Sequence, residues 1–233
     1  MKKVLFIASH RFDRAPGQRF RFEQYFPYLN QNGFDCELSY IVSEKDDSKI
    51  YKKGFYLYKF YFFIKSYFIR NRNLKNIDKY DLIFIFREAL MTKSIFFEKA
   101  IYKRSKKIIF DFDDSIWIEN VSNANKFFKW MKNPGKTKEI ISFSNLVFAG
   151  NEYLSNYATE YNNNIQIIPT TIDTDIYKNN MNISQKEYVT IGWSGSITTI
   201  QHFNYAIPFL EILSKKHGDK IKIKVIGDQN YYN

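Results

Sequence analysis

Short apolar runs recur along the chain, and most end in small or polar residues. Residues 2–9 (KKVLFIAS) form the first and read as a strand. Over residues 18–32 the spacing turns helical: Phe22, Tyr25, Phe26 and Leu29 stand at i, i+3, i+4 and i+7, and Gly33 follows as a stop. Residues 34–42 predict a second strand. Residues 80–86 (YDLIFIF) and 107–112 (KIIFDF) predict two more, with a helical stretch over 89–104 between them. The theme repeats at residues 146–149 (LVFA) and 165–168, around a helix-like segment at 151–161. Strands that read as continuous apolar runs and alternate with helices belong to a parallel sheet covered on both faces. The pattern predicts an α/β fold, a doubly wound parallel sheet, over residues 1–168.

Residues 169–186 open with PTTIDTDIYKNN, carry no apolar period and read as a linker. The strand–helix–strand pattern then restarts over 188–193, 199–216 and 220–226. Two strands and one helix leave a face and an edge of a doubly wound layer uncovered. Residues 187–233 are therefore expected to be an incomplete second Rossmann-like unit.

Composition narrows the class without naming a partner. With 45% hydrophobic and 19% aromatic residues, the chain can bury a core and is not disordered. The single cysteine, Cys36, excludes a disulfide framework and a cysteine zinc site, and fits a reducing compartment. No signal-peptide core is visible, and no apolar run approaches the ~20 residues of a membrane span. A cytoplasmic location is expected. The formal charge of +11 suggests an anionic partner, but 23 Phe and 18 Tyr among abundant Lys, Asn and Ile point to A/T-rich coding DNA as its larger source.

Ligands of open parallel sheets bind beyond the carboxyl ends of the strands, so the residues there carry the chemistry. After the first strand, Gly17, Gln18, Arg19 and Arg21 follow Pro16 at a helix start, a candidate phosphate or substrate site. Arg87 and Glu88 follow the third core strand; they form either a local ion pair or a substrate clamp. Asp111, Asp113 and Asp114 end the fourth, more acids than a helix cap needs, and suit general-base or hydroxyl-orienting roles or a Mg²⁺ site. Asn151 reads as an N-cap and Glu152 as a first-turn acid, both also at a strand end. Gly192, Ser194, Gly195 and Ser196 form a glycine turn able to cradle a pyrophosphate, although it is not a dinucleotide fingerprint. His10, His202 and His217 lack metal-ligand spacing, and no metal site is assigned.

Residues 51–75 stand apart, with seven basic residues, ten aromatic ones and no acid. On a helix Lys52, Lys59 and Arg70 fall on one stripe. This fits a crossover helix with snorkelling lysines, or one partly exposed to an anionic bilayer. Stacking on single-stranded nucleic acid is the weaker reading, because no nucleic-acid motif accompanies it.

With these residues in view, the chain resembles the bacterial family 4 glycosyltransferases. The resemblance rests on PGQRFRFEQYFPYL (16–29), FREA (86–89), FFEK (96–99), KIIFDFDDSIW (107–117), VFAGNEYLSNYA (147–158), IIPTTIDTDIY (167–177) and IGWSGS (191–196), in that order. It implies the GT-B architecture, two Rossmann-like domains facing a cleft, here with the N-terminal, acceptor-side domain and the start of the C-terminal one. It further implies retaining transfer of a sugar from a nucleotide-sugar to a polysaccharide or lipid-linked acceptor, without an essential metal or other cofactor. By position it places Arg87, Asp113 and Asp114 at the reaction centre and Gly192 to Ser196 at the donor phosphates. The family's paired-glutamate donor motif falls beyond residue 233, so this polypeptide alone is expected to have little or no activity; a second chain supplying the missing domain is one possible partner. Peripheral contact with an anionic membrane, at the inner face of the cell membrane, is also expected, and nucleic acid is not expected as a partner. The alternative is a non-catalytic GT-B-like module that docks a membrane or a partner protein.

Overall fold

The computed structural model describes residues 1–104, 107–118, 133, 135–178, 187–195 and 199–227. Contacts divide the chain into two units, Met1–Tyr177 and Lys178–Asn233.

The first unit is built on six parallel strands: β1 (Lys2–Ile7), β2 (Phe34–Ser39), β3 (Leu82–Phe86), β4 (Ile108–Phe112), β5 (Leu146–Ala149) and β6 (Ile165–Ile167), in the order β2-β1-β3-β4-β5-β6. The apolar runs are continuous because both faces of the sheet are buried. Leu5 and Ile7 of β1 join Ile83, Ile85, Phe110 and Phe112 in one core, while Val4, Phe6 and Ala8 join Phe84 and Phe86 in the other. The second core is aromatic, with Phe6, Phe22 and Phe84 at centroid separations of 4.9 to 5.5 Å.

Helices α1 (Pro16–Arg21), α2 (Phe26–Gln31), α3 (Glu44–Ile50), α4 (Tyr56–Lys75), α5 (Phe96–Arg104), α6 (Lys136–Phe143) and α7 (Glu152–Thr159) make the connections. Neither α3 nor α6 is among the helices read from the sequence, and two that are read there differ from the pattern. The single helix expected over 18–32 is broken by a 3-10 turn at Glu23–Tyr25, and α2 restarts with Pro27 in its first turn. Proline has no N–H to continue the α1 ladder, so the chain bends there. The helix expected over 89–104 begins only at Phe96. Side chains occupy the preceding backbone: the Ala89 amide donates to Glu98 at 3.0 Å, and Lys136 Nζ donates to the carbonyls of Leu90 and Thr92 at 2.7 and 2.9 Å.

Residues 168–177 pack back on the first unit. The Ile168 amide donates to Ala149 O at 2.9 Å, Thr171 hydrogen-bonds Gln24 and Tyr25, and Tyr177 meets the Phe20 ring edge-on at 5.6 Å. Residues 179–186 of the expected linker lie outside the described residues. In the second unit, β7 (Val189–Ser194) and β8 (Ile221–Ile226) pair in parallel through a 3-10 turn (Ile200–Tyr205) and α8 (Ile207–His217). Among its described residues only Phe203 and Leu210 are buried apolar side chains. Among the described residues, no helix is long and apolar enough to cross a membrane.

Candidate functional site

The strand order reverses direction at β1. From β1 the chain moves out to β2, then returns past β1 to β3, so the loops leaving β1 and β3 diverge and open a crevice at their carboxyl ends. Four strand ends meet there. Arg87, one residue beyond β3, has φ 62°, in the left-handed region unfavourable to any residue with a Cβ. Its Nε donates to Asp113 Oδ1 at 2.8 Å, and its Nη2 reaches both Asp113 (2.7 Å) and Asp114. Gly17 stands beside them: a Cβ added there would lie 2.9 Å from Asp113 Oδ2 and 3.5 Å from Arg87 Nη2. Gly150, after β5, closes the floor, since a Cβ there would meet Asp113 Cα at 3.1 Å. Both glycines allow close approach that any side chain would block.

The register explains the pairing. Phe86 lies opposite Asp111 in the β3–β4 ladder, so Arg87 and Asp113 emerge side by side from adjacent strands. Glu88, the expected local partner of Arg87, instead pairs with Lys136 Nζ at 2.5 Å.

The candidate phosphate site at the start of α1 is different from the one expected. The helix has only six residues. Gln18 is buried, accepting from the His10 amide at 2.8 Å and donating to His10 O and Glu23. Arg21 is buried as well, forming a bidentate pair with Asp111 and donating to Ile168 O. Burial outweighs that pairing at Asp111 and pushes its pKa up to about 6. Arg19 is turned to Asp13, a turn residue that also has positive φ. Asn151 caps α7 as its position predicts, accepting from the Leu154 amide at 3.0 Å, and Glu152 lies exposed in the first turn.

One neighbour was missed. His10, examined in the sequence only as a metal ligand, bonds Tyr51 Oη through Nε2 at 2.5 Å, beside an Arg11–Asp47–Arg14 cluster. Burial lowers the His10 pKa below 6.5 against the opposing field of Asp47, and Arg14 and Arg87 lower it further; burial also pushes Tyr51 up to about 12. The imidazole is therefore neutral near pH 7, able to accept or relay a proton. The signal available in the sequence was position: His10 follows the small residues that end the first strand.

In the second unit, Gly192 and Ser194 lie on β7, and the Gly195 amide donates to Ile226 O at 3.0 Å. The space a Cβ would need at Gly195 is filled by the Trp193 ring and the Thr199 hydroxyl. Ser196 lies outside the described residues. Among the described residues, no three His, Cys, Asp or Glu side chains group closely enough to hold a metal ion.

No family model matches the chain, and no curated protein matches it. Among solved structures it is similar to S. aureus MnaA in a co-structure with UDP, at 13% identity and TM-score 0.57, over 99% of this chain and 63% of that one. It is also similar to an alpha-glucosyltransferase in complex with UDP and a 13-mer DNA containing an HMU base, at 11% identity and TM-score 0.52, over 97% of this chain and 68% of that one. The chain thus spans less than two thirds of the first of these proteins. At such identities the likeness is one of fold, a Rossmann-like domain of the GT-B type.

Proposed function

We propose that this chain is the acceptor-side portion of a bacterial glycosyltransferase of the family 4 kind, moving a sugar from a nucleotide-sugar to a polysaccharide or lipid-linked acceptor. One observation carries the reading: Gly17, Arg87, Asp113 and Asp114 converge where the sheet order reverses, the place where a fold of this type takes its ligand. The two UDP-bound structures of similar fold support a nucleotide-sugar as the ligand class.

The residues have complementary work to do. Asp113 and Asp114 can accept from sugar hydroxyls and hold them in register. Arg87 is neutralised by both carboxylates, so a ligand that engages the aspartates frees the guanidinium toward a departing phosphate. Gly17 leaves room for that approach. Gly192 and Ser194 are the proposed donor-phosphate contacts of the second unit; the Gly195 amide is already engaged by Ile226 O.

The test is titration of the purified chain with a panel of UDP-sugars, followed by a transfer assay with glycan and lipid-linked acceptors. Saturable donor binding is expected, with little or no transfer by the chain alone. Any turnover, including that restored by a complementing donor-side chain, should fall at least about 100-fold in Asp113→Asn/Asp114→Asn with the melting temperature kept. Failure to bind any nucleotide-sugar or acceptor glycan, with no turnover when a donor-side chain is added, alongside saturable binding of a partner protein, would instead establish a non-catalytic module.

A further inference from the structure

Helix α4 carries its polarity inside out. Its inward stripe is Lys59, Phe62, Ser66, Arg70 and Leu74, all buried. Arg70 reaches the ends of three strands: its guanidinium donates to the carbonyls of Ala8, Ser39 and Ala89 at 2.7 to 3.1 Å. Lys59 Nζ donates to Lys52 O at 2.7 Å. Of the basic stripe expected from the sequence, Lys59 and Arg70 are turned into the protein, while Lys52 lies exposed before the helix begins. The outward face is Leu57, Phe60, Tyr61, Ile64 and Phe68, with Leu57 89% exposed, Phe60 65% and Phe68 64%. A surface helix ordinarily shows solvent its polar side. Packing of the first unit does not account for this face, which exposes apolar area over about three turns.

Two further observations say what covers it. A groove of about 520 Å³ runs beside the face, between α4 and the start of α5, lined by Phe63, Tyr67, Phe96 and Phe97. The cations left outside flank the face: Lys52 and Lys53 precede α4, Arg72 and Lys75 close it, all are exposed, and no acid occurs from 51 to 75. A second copy would bring like charges together, which disfavours a symmetric dimer through this face. A flat, negatively charged, apolar-cored surface matches it.

We propose that the outer face of α4 seats the protein on an anionic lipid bilayer, with Leu57, Phe60, Ile64 and Phe68 in the headgroup layer and the flanking cations on lipid phosphates. This names the surface behind the lipid-linked acceptor proposed above. Its readout needs no sugar transfer, so the two readings fail separately.

The test is flotation of the full chain with vesicles of phosphatidylcholine plus phosphatidylglycerol, against phosphatidylcholine alone. The protein should float with the anionic vesicles, far less with the neutral ones, and less again as salt rises. Leu57→Gln/Phe60→Gln/Phe68→Gln should weaken binding at least about tenfold, with melting temperature kept because all three positions are exposed. Lys52→Glu/Lys53→Glu should weaken it through charge alone and serves if the triple variant misfolds. No flotation of the unaltered chain, or unchanged flotation of both variants, overturns the proposal. So does a dimer in solution that the triple variant dissolves without any vesicle binding.

Discussion

At Arg87 the backbone and the side chain pull in opposite directions. The ion pairs to Asp113 and Asp114 hold the guanidinium in place, while φ 62° places Cβ against its own carbonyl. Comparing Arg87→Ala with Arg87→Gly separates the two, since both remove the ion pairs and only glycine relieves the backbone. The glycine variant should be more stable by about 1 kcal/mol in urea unfolding; equal stabilities would show that the backbone angle carries no strain. The position of this residue was legible in the sequence, because strand ends can be read from where an apolar run stops. Its partner was not. Glu88 is adjacent in sequence but pairs with Lys136, whereas Asp113 arrives through the β3–β4 register. Arg21 was illegible for the same reason: nothing local to it announces Asp111, ninety positions away.

Elements were legible wherever an apolar run exceeded its surroundings, which is why the parallel strands stand where the sequence puts them. Boundaries failed where a side chain satisfied the backbone in place of a helix, as Glu98 and Lys136 do over residues 89–92. The same substitution of side chain for ladder explains why α4 buries an arginine. Beyond the strand ends backbone donors run out, and Arg70 supplies donors to the carbonyls of Ala8 and Ala89 and a second one to that of Ser39, which already accepts from the Ala8 amide at 3.1 Å. Arg70→Met should therefore lower the unfolding free energy by about 2 kcal/mol, roughly 1 for each of the Ala8 and Ala89 carbonyls left without its donor. Arg70→Lys, with a compact head unable to span all three, should fall between. A methionine variant as stable as the original in urea would mean that water enters and replaces the guanidinium.

For the molecule as a whole, the doubly wound layer was plain in the alternation of elements, and the crevice followed from it. The outward apolar face of α4 was hidden, because aromatic residues lie on most of the circumference and a sequence does not say which side a lysine takes. The segment after β6 was hidden too. Rich in Thr and Asp, residues 169–177 look like tether, yet they fold back over α1 as a strap, and Ile168 O supplies an acceptor to Arg21. That strap decides where the chain can be divided. A fragment ending at Tyr177 keeps every one of these contacts and should melt cooperatively. One ending at Ile167 strips an acceptor from a buried guanidinium and uncovers Phe20 and Tyr25, and should lose roughly 2 kcal/mol. Anyone cutting this protein for expression, fusion or protease mapping would do better to place the knife after the tyrosine than at the last strand.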